Sequence, residues 1–283
     1  MSRLAWVCLV VAVALGWAIV AACGAEGISD PSGIVFPQGE YVGDIDQIGF
    51  NEPSGITFDA KRGTLFAVGD EGDICEIARD GKLVKQAHLM DADFEGITLD
   101  PGSGLLYICV EGEEKIVEVD PESFKVLRQF PIDRHFNGVE LLKAGGQGVE
   151  AITFVPDQKH PQGGTFYLAN QGFTFDLDKD PSVIVEVVVP IKQALEGGST
   201  GKIIRAFSIG VVDIADMHYD ATSDHIYAIS DATNTFWEIT RSGDTVRGYA
   251  FPGDNQEGIT VDGEGWVYVA QDSGGIVKFK WTR

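Results

Sequence analysis

Three columns of acidic and amide residues could do chemistry in this chain. A short phrase recurs five times, as NEPSGITFD (51–59), DFEGITLD (93–100), GVEAITF (148–154), DIADMHYD (213–220) and NQEGITVD (255–262). The residue before its glycine position reads Ser54, Glu95, Glu150, Ala215 and Glu257, with Asp216 adjacent in the fourth copy. Just upstream lie Glu52, Asp93, Asp213 and Asn255. The next β-rich run of each copy closes on Asp70, Glu111, Gln171, Asp231 or Asp272. A symmetric fold would bring these columns to one place. Crowded carboxylates raise each other's pKa, and desolvation adds to the effect, so such a cluster keeps protons or takes up a cation. Oxygen donors without Cys or clustered His suit a hard ion. Ca²⁺ accepts roughly six to eight oxygens in flexible geometry, whereas Mg²⁺ prefers a tighter octahedron. A hard cation, Ca²⁺ or Mg²⁺, is therefore expected, with Glu95, Glu150, Asp216, Asp231 and Glu257 as candidate ligands. The plainer reading is that these groups cap turns by accepting backbone N–H bonds. That reading is taken for Asp59, Asp100, Asp220 and Asp262, which close the phrases on the opposite face.

The spacing shows which elements must carry the columns. Counted from Ser54, the steps between copies are 41, 55, 65 and 42 residues. The short steps match a four-stranded propeller blade of about 40–50 residues. The long steps imply insertions, at 133–147, at 175–181 and at the helix-like 190–198. Each copy opens a series of runs rich in Val, Ile, Phe, Tyr and Thr, bounded by Gly, Asp and Pro. The fifth copy lacks a fourth run, and EYVGDIDQIGF (40–50) can supply it. The fold class expected is all-β, a five-bladed β-propeller over 41–283 closed by an N-terminal strand. Closure leaves only short, protected edges. A β-sandwich would not explain five phased copies.

Composition narrows the function. The chain has 43 Asp+Glu against 21 Lys+Arg, a formal charge of −22. That excludes nucleic acid as a partner, because its binding rests on basic contacts to phosphate. It suits a cation-binding protein, or simply a surface kept soluble by charge. Residues 1–22 read as a signal peptide with an apolar run over Leu4–Val20. Val20-Ala21-Ala22-Cys23 then resembles a bacterial lipobox, which makes Cys23 the lipidation site and 23–40 a lipid-anchored tether. The same residues fit cleavage by ordinary signal peptidase or an uncleaved membrane anchor. All three export the domain, and the lipoprotein reading places it at the cell envelope. Cys75 and Cys109 each sit in an expected strand and read as buried thiols, with a disulfide as the alternative.

The phrases EGITLD, DMHYDATSDHIYAISDATNTFWEI and QEGITVDGEGWVYVAQD resemble the SdiA-regulated family, distantly related to NHL-repeat proteins, over most of 44–280. The resemblance implies an exported five-bladed propeller with a bound calcium ion. It defines fold and ion better than activity. Ala215-Asp216 departs from the family's small residue followed by glycine. Two functions of different class follow. One is a non-catalytic, calcium-responsive binding module that offers its acidic channel mouth to a protein or small-molecule ligand. The other is a calcium-dependent hydrolase, lactonase/esterase- or phytase-like. A phytase needs Lys or Arg around phosphate, and the columns contain none. A lactonase needs a proton carrier. His218 stands where the other copies have Thr57, Thr98, Thr153 and Thr260, and packing between blades explains it more simply than catalysis.

Overall fold

Short β-branched and aromatic runs between Gly and Asp turns build every element of this chain. The structure is a computed structural model and describes residues 36, 39–45, 49–172, 174, 180–193, 199–251, 253 and 255–281. Strand β1 (Glu40–Asp44) comes first. Blade one is β2 (Pro53–Asp59), β3 (Thr64–Gly69), β4 (Asp73–Ala78) and β5 (Leu83–His88). Blade two is β6 (Phe94–Leu99), β7 (Leu106–Val110), β8 (Lys115–Asp120) and β9 (Lys125–Pro131). A small hairpin follows, β10 (His135–Phe136) and β11 (Val139–Glu140), inside the insertion expected at 133–147. Blade three is β12 (Val149–Pro156), β13 (Gly164–Asn170), β14 (Ile184–Val188) and β15 (Lys202–Phe207). Blade four is β16 (Ile214–Asp220), β17 (His225–Ser230), β18 (Thr235–Thr240) and β19 (Thr245–Ala250). Blade five has β20 (Gln256–Val261), β21 (Trp266–Gln271) and β22 (Gly275–Lys280).

The five small sheets form the five-bladed propeller read from the repeats, and β1 pairs antiparallel with β22 to complete blade five. The described residues contain no helix. Of the helix-like stretch, 190–193 carries only a turn, and 194–198 lies outside the described residues. Most of the 175–181 insertion lies outside them too, as do the expected signal peptide and Cys23.

Burial follows position within the blade. Every residue of β7 and β13 is buried, because second strands are packed between neighbouring blades. The outermost β5 and β9 alternate between exposed and half-buried along most of their length, as one-sided strands do. Five apolar clusters fill the five gaps between blades. The cluster between blades four and five also takes in Phe36, whose ring lies 4.8 Å from Phe236 and 5.0 Å from Phe251. The Phe36 N–H donates to Ala250 O at 2.9 Å, so packing begins ahead of residue 41. Cys75 and Cys109 are both buried and both free.

The face opposite the mouth is held by the aspartates that close four of the five phrases. Asp59 Oδ1 accepts the Lys61 N–H at 2.8 Å, Asp100 Oδ1 that of Gly102 at 2.8 Å and Asp262 Oδ1 that of Glu264 at 2.8 Å. Asp220 does the same for Thr222 at 3.1 Å. These carboxylates are turn formers, as the sequence indicated.

Candidate metal centre

The column before the glycine position gains its direction from a backbone irregularity repeated in all five blades. The pairing of first and second strands skips Ser54, Glu150, Ala215 and Glu257, and in blade two it skips both Glu95 and Gly96. A β-bulge of this kind frees one residue from the ladder and re-aims its side chain. In blades one, two and five a glycine stands at the next position, because the inner strands nearly touch at the axis. A Cβ on Gly55 would lie 2.3 Å from Glu95 O, and one on Gly258 would lie 2.8 Å from the Ile56 nitrogen. Backbone bonds tie the second-strand ends to the upstream column. Glu111 N–H donates to Asp93 O at 3.0 Å, Gln171 N–H to Gly148 O at 2.9 Å and Asp272 N–H to Asn255 O at 3.0 Å.

The result is one acidic cavity of about 290 Å³ at the channel mouth. Asp70, Asp93, Glu95, Glu111, Glu150, Glu257 and Asp272 line it, with Ser54, Gln147 and Gln171, and its lining residues include no Lys or Arg. Carboxylate oxygens of Asp70, Asp93 and Glu95 lie within 4.8 Å of one another, and so do those of Glu95, Glu111 and Glu150. Glu95 is the hinge between the two triads. Ser54 Oγ–H donates to Asp70, and Gly148 N–H donates to Glu111 Oε1 at 2.6 Å.

Crowding raises the acids here. Burial, then Asp70, Asp93 and Glu111, push Glu95 well above the usual carboxylate range. Burial, then Glu95 and Glu111, do the same to Glu150. Burial, then Asp231, Asp213 and Asp272, raise Glu257 to about 8. Asp70 and Asp93 are raised as well, chiefly by burial. Without a counter-ion this mouth holds protons. The oxygen-only donor set, mutually close and short of cationic partners, fits a hard divalent ion. Seven acids line it, and of the five candidate ligands read from the sequence three are among them, Glu95, Glu150 and Glu257. Asp70, Asp93, Glu111 and Asp272 belong to the flanking columns, so the signal for them was present.

A family model described as SdiA-regulated matches residues 40–280. The chain belongs to the SdiA-regulated family. No curated protein matches it. Among solved structures, glutaminyl cyclase from Myxococcus xanthus is similar in fold, with a TM-score of 0.57 and 14% identity, over 87% of this chain and 94% of that one. The β-propeller domain of Myceliophteria thermophila Cps50 (Swd1) has a TM-score of 0.49 and 10% identity, over 87% of this chain and all of that one.

Two of the candidate ligands of this SdiA-regulated propeller do not line the cavity. Asp216 occupies the glycine column rather than the bulge, and it is fully buried. Its Oδ1 accepts the Met217 N–H and its Oδ2 the Ile259 N–H, both at 2.8 Å. Burial raises its pKa, while these amides and those of Ile152 and Ile56 pull it down. Its oxygens are taken up by backbone donors, so it is not among the acids lining the mouth. Asp231 accepts the Gln256 N–H at 2.9 Å and stands beside Glu257 without lining the cavity.

His218 lies in the gap between blades. At the equivalent position Thr98, Thr153 and Thr260 accept N–H bonds from Phe154, Tyr219 and Phe58 at 3.1, 2.8 and 3.0 Å. His218 Nδ1 instead meets Thr260 Oγ1 at 3.2 Å, and its ring stacks on Tyr227. It is not among the residues lining the mouth.

Proposed function

We propose that this SdiA-regulated propeller is an exported, lipid-anchored calcium-binding protein of the cell envelope, which offers its acidic mouth to a protein or small-molecule ligand. The carrying observation is seven carboxylates around one cavity with no basic side chain among its lining residues. Anions so placed need protons or a cation, and a divalent ion removes the repulsion at neutral pH. Glu95 would be the central ligand, joined by Glu111 and Glu150 or by Asp70 and Asp93. Ca²⁺ suits the site better than Mg²⁺ because it tolerates a variable number of carboxylate oxygens. Bound calcium would leave outer carboxylates such as Asp272 and Glu257 facing the cavity, where a cationic or hydroxyl-bearing ligand could reach both them and the ion.

A binding role is favoured over hydrolysis by the position of His218, which is engaged with Thr260 and Tyr227. Export and anchoring rest on residues 1–23, whose apolar run and Cys23 have the form of a lipoprotein signal. The direct test is metal content of the purified full chain, followed by calorimetric titration of the metal-stripped protein with CaCl₂. Saturable binding is expected, with Mg²⁺ a poor competitor. Absence of heat and of bound metal would sink the calcium reading.

A further inference from the structure

One buried carboxylate outside the mouth has, among the described residues, no partner for one of its oxygens. Glu114 sits in the turn between β7 and β8, with a left-handed backbone (φ 43°) and 3% exposure. Its carbonyl accepts the Ile132 N–H at 2.8 Å, which holds the residue in place. Its Oε1 is buried and receives no hydrogen bond from the described residues. Arg134 draws the carboxyl's pKa down, but that guanidinium is paired with Glu140. Burial prevails and raises Glu114 to about 7.

The unpartnered oxygen is aimed at a specific place. A Cβ built on Gly148 would lie 2.9 Å from Glu114 Oε1, 2.8 Å from Lys143 O and 3.0 Å from Gly145 O. Three oxygens, one of them anionic when the carboxyl is ionised, thus converge beside the Gly148 Cα. Neither carbonyl is taken up by a backbone bond among the described residues. Oxygen lone pairs facing one another without a donor repel. A proton on Glu114 or a cation among the three removes that repulsion, and a side chain at 148 would block the space.

We propose that Glu114 Oε1 and the carbonyl oxygens of Lys143 and Gly145 form a second hard-cation site, which takes Ca²⁺ and fastens the insertion at 133–148 to blade two. One carboxylate with two loop carbonyls is a donor set that calcium loops use, and water completes the shell. The site is separate from the mouth but mechanically joined to it. Gly148 N–H holds Glu111 Oε1 at 2.6 Å, and Gly148 O holds the Gln171 N–H at 2.9 Å. An ion that fixes the loop at Gly148 therefore also fixes two residues lining the mouth. The site does not depend on the mouth being a calcium centre.

Crystals of the full chain soaked in TbCl₃, a calcium surrogate with strong anomalous scattering, would show each position independently. A peak is expected about 2.3–2.6 Å from the three oxygens. It should persist in Glu95→Gln/Glu150→Gln and vanish in Glu114→Gln. The amide that Glu114→Gln introduces can donate to one of the two carbonyls, so that variant should keep its fold, and calorimetry with CaCl₂ should find one site fewer. A wild-type map without a peak beside Glu114, a peak that survives Glu114→Gln, or a Glu114 carboxyl hydrogen-bonded to one of the carbonyls would each overturn the proposal. A peak at Glu114 with none at the mouth would instead support this site and overturn the mouth reading alone.

Discussion

Asp216 Oδ2 accepts the backbone N–H of Ile259 at 2.8 Å, across 43 residues and a blade boundary. The same carboxylate meets the amides of Met217, Ile152 and Ile56, so one side chain joins the inner strands of four blades. In blade two, Gly96 N–H donates to Cys109 Sγ at 3.1 Å. The same thiol donates to Glu150 O at 3.3 Å, which ties blade two to blade three beneath the acidic mouth. Asp216→Ala would leave buried amides without an acceptor, at about 1–3 kcal/mol for each. A total loss of at least about 3 kcal/mol is expected in urea denaturation. Asp216→Asn should also destabilise, because its NH₂ faces N–H donors. Wild-type stability in the Asn variant would show that these amides do not depend on a carboxylate.

The mouth should couple folding to calcium. A ligand bound only by the folded state adds RT ln(1 + [L]/Kd), about 2.7 kcal/mol at a hundredfold excess over Kd. EDTA should therefore lower the melting temperature of the wild type. In Glu95→Gln/Glu150→Gln/Glu257→Gln the melting temperature without metal should be raised, since burial and repulsion among these acids are relieved. The EDTA effect should shrink to whatever Glu114 contributes. An EDTA shift as large as that of the wild type would place the main ion elsewhere.

Stability without metal should fall as pH rises. Glu257 is raised from 4.5 to about 8 in the folded chain, so the folded state keeps a proton that the unfolded state has lost. The contribution of such a group is full below the unfolded pKa and declines as pH climbs through the folded one. The window is about pH 4.5 to 8, and Glu95, Glu150, Asp70 and Asp93 act in the same direction. Melting temperatures of the EDTA-treated protein should decline across this window, and saturating CaCl₂ should flatten the decline. Calcium binding should release protons at neutral pH, measurable as a buffer-dependent calorimetric enthalpy. A metal-free profile that rises with pH would contradict the assignment.

The anchor can be tested apart from the propeller. In a bacterial host the wild type should take up labelled lipid and partition into detergent. Cys23→Ser should do neither while keeping the same melting temperature. Equal labelling of both would exclude Cys23 as the lipid site.

Much of this protein was legible in its sequence because the signals are local. Five phased copies, runs rich in Val, Ile, Phe, Tyr and Thr, and Gly, Asp or Pro at turns set the blade number and strand order, and a fifth copy short of one strand implied closure by 40–50. The acidic columns could also be read, since a repeat places equivalent residues at equivalent heights. Tertiary structure decided which acids share a cavity and which do not. Ala215 and Asp216 are one residue apart, yet the bulge sends the first into the column of Glu95 and the second to the axis. His218 breaks the repeat, and packing is the simpler reading of it; the contacts behind that packing, Thr260 from the neighbouring blade and Tyr227 across the strand pair of its own, appear only in the folded chain. Glu114 carried no signal at all, because the oxygens it faces are main-chain carbonyls of Lys143 and Gly145. Side-chain type and spacing are written in the chain, whereas the register of a bulge and the direction of a carbonyl exist only once distant strands have paired.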